Sequence, residues 1–275
     1  MINSDIDLSI VILTWNSERY IARCIGSIIS SLTGHVRSCE IFVVDNGSKD
    51  QTVQTLNSLL IEKPFDLHLI PLKDNQGTTV SRNLALRKVK GEYVCVMDSD
   101  VEVGQDVFTE LAALLQNDET VGLVVPQINY PSGNWQKSFD RFPTIAHKIR
   151  RLFCLRSMEA SEGAIESNAN ACKDVDYAIS AFWLFRRSLI EKVGLLDENI
   201  FYAPEDVDFC LRIWIAGYRI VYQPSVSIIH FTQEISRGWK LNRAKINHFK
   251  GLVYYFVKHR YLFKRPSLPK LIISD

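Results

Sequence analysis

The chain alternates short apolar runs with stretches of helical spacing. "LSIVILTWN" (8–16) is a nearly continuous apolar run of strand length. Ser17 follows as a helix cap, and Tyr20, Ile21, Cys24, Ile25, Ile28 and Ile29 then recur at helical spacing. "EIFVVDNGS" (40–48) predicts a second strand that ends in Asp45 and a turn-forming Asn46-Gly47 pair. A helix over 51–62, the strand "LHLIPL" (67–72), a helix over 78–89 and a strand inside "GEYVCVMDSD" (91–100) complete the first unit. Beyond it the pattern predicts a helix over 106–116, a strand over 121–128, an apolar segment over 178–187 and a helix over 188–193. "PEDVDFCLRIWIAG" (204–217) reads as a helix with proline at its start, acids in its first turn and Gly217 as its stop. "YRIVYQPSVSIIHF" (218–231) predicts a final strand pair, and residues 129–174 are polar and aperiodic, the mark of a long loop.

Val- and Ile-rich strands alternating with helices define an α/β domain with a largely parallel central sheet. Such sheets bind ligands outside the carboxyl ends of their strands, where Thr14, Asn16, Asp45, Asp98 and Asp100 all fall. The two acids of "YVCVMDSDVEV" (93–103) are one residue apart, so in an extended segment they point to the same side. Two carboxylates in one small volume repel unless a cation, or a substrate carrying one, completes the site; the alternative is a pair of loop aspartates facing water. No G-x-G-x-x-G follows the first strand and no G-x-x-x-x-G-K-[ST] occurs, which argues against a dinucleotide enzyme and a P-loop NTPase. A nucleotide on this sheet would be held through acids and a metal.

The 275 residues, 47% hydrophobic, suffice for a full core. With no internal repeat or linker, the simplest partition is one domain over 1–230, with a nucleotide half to about 128 and an acceptor half from 129, and a basic appendage over 231–275. No apolar run reaches membrane-spanning length, and the N-terminus lacks the basic region of a signal peptide. Six scattered cysteines without a C-x-x-C pair read as reduced thiols of a cytoplasmic protein. From Phe231 onward ten Lys/Arg stand against Glu234 and Asp275, whereas the preceding residues carry a net −7. The tail, which mixes Trp, Tyr, Phe and Leu with these cations, suits an interfacial helix on the anionic inner face of a membrane; the alternative is a solvated helix packed on the domain. The acidic body argues against nucleic acid as a partner.

"SIVILTWNSERYIARCIGSI", "IFVVDNGSKDQT", "NQGTTVSRNLALRKVKGEYVCVMDSD" and "FYAPEDVDFCLRIWIAGYRIVYQPSVSIIH" resemble, in order and over about residues 8–230, the signatures of family 2 nucleotide-sugar glycosyltransferases. The D-N-G-S form and "SGNWQKSFDRFPT" (132–144) are similar to the branch that includes bacterial rhamnosyltransferases of surface-polysaccharide and O-antigen assembly. The resemblance implies a GT-A fold, an α/β/α sandwich, and inverting transfer from a nucleoside diphosphate sugar, TDP-rhamnose or a UDP-sugar, to a hydroxyl of a glycan or lipid-linked glycan. It implies Mg²⁺ or Mn²⁺ held by Asp98 and Asp100, with His230 completing the site, and Asp98 also near the ribose. It makes Asp206 the general base, with Glu205 as the reserve candidate that orients the acceptor. Base and ribose contacts fall to Thr14, Asn16 and Asp45, and loop contacts to Asn75 and Gly77; Arg82 either faces a phosphate or forms a surface salt bridge. Trp135 and Tyr202 are acceptor-site candidates, and Trp183 reads as core. The family often has two acids where this chain has Asp45-Asn46.

Three rival readings fit less well. A phosphotransferase with D-x-D-x-[TV] meets Glu102 at the last position, a nucleotidyltransferase would need a glycine-rich loop where "ILTWNSERY" stands, and a non-catalytic sugar-nucleotide or membrane-binding module leaves the acids unexplained.

Overall fold

The computed structural model describes residues 6–32, 36–62, 66–144, 171–232, 243–266 and 268. Four parallel strands form its first half: β1 (Ile6–Thr14), β2 (Val36–Asp45), β3 (Asp66–Pro71) and β4 (Tyr93–Asp98). The sheet order is β3-β2-β1-β4-β10-β6-β11-β5, with β6 (Val121–Asn129), β10 (Phe182–Arg186), β11 (Arg219–His230) and the short β5 (Val101–Val103). β10 runs antiparallel between β4 and β6, so the sheet is mixed but mostly parallel. β8 (Lys173–Asp174) adds to β11, and β7 (Phe139–Asp140) pairs with β9 (Tyr177–Ala178) in a separate ribbon.

Alternation along the strands splits the core into two layers. Leu8, Ile10, Ile12, Ile41, Val43, Cys95 and Met97 face α1 (Ile21–Leu32), α2 (Thr52–Glu62) and α4 (Val107–Asn117). Val11, Phe42, Val44, Val94 and Val96 face α3 (Thr78–Leu86), α5 (Ser188–Val193), α6 (Glu205–Ile215) and α7 (Arg243–His259). This is the α/β/α sandwich that the family resemblance implies. Trp183 lies wholly in the second layer, stacked on Phe209.

Two expectations are corrected. The predicted strand pair over 218–231 is one strand, β11, whose register on β6 shifts between Gln223 and Ser227. Pro224, which cannot donate to the ladder, sits in that irregularity. Asp98 and Asp100 do not converge by extended geometry: Ser99 and Asp100 form a turn, after which β5 folds back antiparallel to β11. The irregular stretch expected over 129–174 lies outside the described residues from 145 to 170, and so does the tail at 233–242, 267 and 269–275. Among the described cysteines none is bridged; Cys24, Cys95 and Cys210 are buried and Cys172 is exposed.

Candidate active site

Parallel register lines up the carboxyl ends of neighbouring strands. Thr14 of β1 stands opposite Asp45 of β2, and Leu13 stands opposite Asp98 of β4. Thr14 Oγ1 is buried there with no hydrogen-bond partner in the protein. Asp45 is buried, and both its oxygens accept from Ser48, one from the backbone N at 3.1 Å and one from Oγ at 2.5 Å. Asn16, at positive φ, locks the same turn: its N donates to Ser48 Oγ and its Oδ1 accepts from Lys49 N, each at 2.8 Å. Asp45 and Asn16 therefore shape the rim of the site through the β2–α2 turn.

The amide at Asn46 does what a second acid could not. Its Nδ2 donates to Asn75 Oδ1 at 3.1 Å, while its Oδ1 accepts from Gln76 N at 2.8 Å and Ser81 Oγ at 2.9 Å. Asn75 Oδ1 also accepts from Gly77 N. Gly77, at φ +87°, is pressed against the α5–α6 connection: a Cβ there would lie 2.3 Å from Phe201 O, and Thr78 N donates to that carbonyl at 2.7 Å. The close approach at Gly77 is thus to the protein's own chain.

The turn after β4 and the end of β11 bring Asp98, Asp100 and His230 together, with one ligand atom from each lying within 4.8 Å of the others. His230 Nε2 stands 3.4 Å from Asp100 Oδ1, and Phe231 N donates to Asp100 O. Gln136 Nε2 contacts His230 Nδ1 at 3.1 Å from the opposite side. Burial raises the Asp98 pKa, Arg82 pulls against it, and the Asp100 charge adds to it. Burial works against charging His230, but its hydrogen bond to Asp100 and the charges of Asp100 and Asp98 raise its pKa on balance. Two carboxylates suit Mn²⁺ or Mg²⁺, an imidazole nitrogen suits Mn²⁺ better than the harder Mg²⁺, and the crowding of negative charge is what a dication would relieve.

Arg82 joins this group to the start of α6. It is 1% exposed, and its Nη2 lies 2.6 Å from Asp98 Oδ1 and donates to Ser180 O at 3.0 Å. Its Nη1 lies 3.7 Å from Glu205 Oε1, which also accepts from Ser180 Oγ at 2.9 Å. Burial, then the adjacent Asp206 charge, push the Glu205 carboxyl up to about 8 against the pull of Arg82. Asp206 stands beside it in the same first turn, more open than Glu205, with Oδ1 accepting from Val207 N at 2.8 Å. Its place in the first turn of α6 sets it at the positive end of the helix dipole. Tyr202 is 39% exposed, and its hydroxyl is pushed up to about 12 by burial and by the charges of Glu205, Asp98 and Asp206. Asp208, the third acid of the segment, is wholly buried and bonded to Arg212, Lys258 and His259, so it is structural.

Residues 9–194 match the model of the glycosyl transferase family 2 domain. The chain belongs to this family. Among curated relatives it is 25% identical over 204 residues to a poly-beta-1,6-N-acetyl-D-glucosamine synthase of Staphylococcus aureus (strain COL), covering 73% of this chain and 45% of the relative. It is 29% identical over 150 residues to an uncharacterized glycosyltransferase of Haemophilus influenzae, covering 54% and 57% respectively. The chain thus spans about half the length of these relatives. Its fold is similar to the mannosyltransferase PcManGT from Pyrobaculum calidifontis in complex with GDP-Man and Mn²⁺ (TM-score 0.65, 22% identity, 95% of this chain and 66% of that one). It is also similar to GalNAc-T7 with UDP, GalNAc and Mn²⁺ (TM-score 0.70, 18% identity, 91% and 48%). The GT-A fold is theirs and this chain's.

Within this family 2 chain the sequence-derived candidates fall into groups. Asp98, Asp100 and His230 form one cluster. Glu205, Asp206 and Tyr202 form a second, bridged to the first by Arg82, which lies inside the protein and not in a surface salt bridge. Thr14, Asn16, Asp45, Asn75 and Gly77 line the turns along the same strand ends. Trp135 packs edge-on to Phe139 and its Nε1 meets Tyr222 OH at 3.4 Å. Sequence reasoning missed Gln136, which sits in the aperiodic stretch 129–174, and Ser180, a lone hydroxyl in the apolar segment over 178–187; neither carries a local signal.

Proposed function

We propose that this protein is a metal-dependent inverting glycosyltransferase that moves a sugar from a nucleoside diphosphate donor to an acceptor hydroxyl. The observation that carries this reading is the convergence of Asp98, Asp100 and His230 at the strand ends of a family 2 domain. These three residues would hold Mg²⁺ or Mn²⁺. When bound, such a cation supplies Lewis-acid stabilisation of the departing diphosphate. Asp206 takes the proton of the acceptor hydroxyl as general base. Glu205, held largely protonated near neutral pH by burial and by Asp206, is a poor base there and positions the acceptor instead. Arg82 fixes Asp98 and Glu205 at a set separation, so donor-side and acceptor-side carboxylates are parts of one rigid unit.

Rhamnose is the favoured sugar, with TDP-rhamnose ahead of UDP-sugars as donor. Its support is the likeness of "DNGS" (45–48) and residues 132–144 to rhamnosyltransferases. A lipid-linked glycan of bacterial surface-polysaccharide assembly is the favoured acceptor, at the inner face of the cytoplasmic membrane, supported by the basic tail. Calorimetric titration of TDP and UDP, with and without Mn²⁺, into wild type and Asp100→Ala tests the donor site. Manganese-dependent binding lost in the variant is expected, and the tighter diphosphate identifies the base. Absence of binding by either diphosphate under both conditions would overturn the reading.

A further inference from the structure

Helix α7 has two opposed faces. One is fastened to the connection and helix that carry Tyr202, Glu205 and Asp206. A Cβ at Gly251 would lie 2.3 Å from Ala203 O, so the helix backbone rests directly on that connection. Tyr255 and Phe256 are buried in the core beneath it. Lys258 Nζ lies 2.6 Å from both Asp197 and Asp208, and His259 Nε2 lies 2.8 Å from Asp208.

The other face is apolar and open. Ile246, Phe249, Val253 and Val257 fall on one stripe at helical spacing, and Leu262 and Phe263, just past the helix, are exposed as well; Phe249, Val257 and Phe263 are 67%, 71% and 76% exposed. The buried face of the helix is already anchored, and among the described residues this stripe remains exposed. Between 243 and 266 there are seven Lys/Arg and no Asp/Glu, and Lys250, Arg260, Lys264 and Arg265 are exposed in the same segment. Apolar side chains flanked by cations complement an anionic bilayer surface, where the hydrocarbon enters the headgroup boundary and the cations meet lipid phosphates. Two copies of this face would set like charges against each other, which disfavours self-association through it.

We propose that the exposed stripe of α7 with Leu262 and Phe263 is a docking surface for an anionic lipid bilayer, and that its anchored face carries the Tyr202–Asp206 segment to the membrane. This deepens the acceptor reading above: docking would bring the acceptor-side acids to the level at which a lipid-carried hydroxyl is presented. The surface itself stands on α7 alone and does not require transfer to occur.

The test is co-sedimentation of the full chain with phosphatidylcholine vesicles, with and without phosphatidylglycerol, at low and high salt. Phe249→Ser/Phe263→Ser is compared with wild type after circular dichroism and diphosphate titration have checked its fold. Binding to the anionic vesicles that weakens with salt, and falls at least about tenfold in the double variant, is expected. Wild type that stays in the supernatant, or a double variant that sediments equally well, would overturn the proposal. So would a concentration-dependent dimer in ultracentrifugation that the double variant abolishes, since a second copy would then cover the stripe. Diphosphate binding is read separately, so failure of the docking surface and failure of the transferase reading are told apart.

Discussion

Gln136 holds His230 from behind. Its Nε2 lies 3.1 Å from His230 Nδ1, while its own Oε1 is buried without a partner. Donation by the amide keeps the imidazole proton on Nε2, next to Asp100. Turning the amide over would place Oε1 on an Nδ1 proton and leave the Nε2 lone pair for a cation. Gln136→Leu is therefore expected to weaken Mn²⁺ binding by about 10- to 100-fold, followed as free Mn²⁺ by electron paramagnetic resonance. Unchanged affinity in a folded variant would show that Gln136 does not orient His230.

Arg82 predicts a stability effect. It is the buried cation between Asp98 and Glu205, at 2.6 Å and 3.7 Å. Arg82→Met leaves the partly exposed Asp98 carboxylate and the Glu205 carboxyl without their shared cation and is expected to cost about 1–3 kcal/mol in urea unfolding. Arg82→Lys should recover only part of this, because an ammonium cannot span the two acids and Ser180 O as the planar guanidinium does. Full stability in Arg82→Lys would mean that charge alone matters.

The strands and helices were readable because each carries its own periodicity; β1, α1 and α5 begin or end within a few residues of the segments read from the sequence. The candidate site was readable where its residues sit at strand ends, as at Asp98 and Asp45. Its assembly was not. Asp100 meets His230 because β5 turns back onto β11, a pairing across more than a hundred residues that no local pattern encodes. Arg82 shows the same limit: helical spacing locates it on α3, but only packing decides that it points inward to Glu205. Gln136 lies 94 residues from the histidine it contacts, in a stretch with no period at all.

Gly77 predicts a backbone effect on the segment that leads into α6. At φ +87° an L side chain is strained, and a Cβ would lie 2.3 Å from Phe201 O. Gly77→Ala must move the segment that leads into Tyr202 and α6, at an expected cost of about 2 kcal/mol or more. Thermal unfolding measures the cost. A wild-type melting temperature would show that the connection yields freely.

Glu205 predicts a pH dependence with a definite sign. Burial and the Asp206 charge raise its carboxyl to about 8, far above the usual range for an unfolded chain, with Arg82 opposing. A raised acid pKa means that the folded state holds its proton more tightly than the unfolded state does. The folded state is therefore unpenalised at low pH and loses stability as pH rises past about 4.3, the unfolded value. The loss is complete once pH has passed the folded value. Glu205→Gln keeps an acceptor for Ser180 Oγ and cannot ionise, so it escapes this loss. Its urea midpoint, relative to wild type, is expected to climb between pH 4.5 and pH 8.5 by an amount equivalent to a few kcal/mol and to level off above that. A constant difference across the range would show that Glu205 ionises normally. It would then compete with Asp206 for the acceptor proton, and the division of labour between the two acids would have to be redrawn.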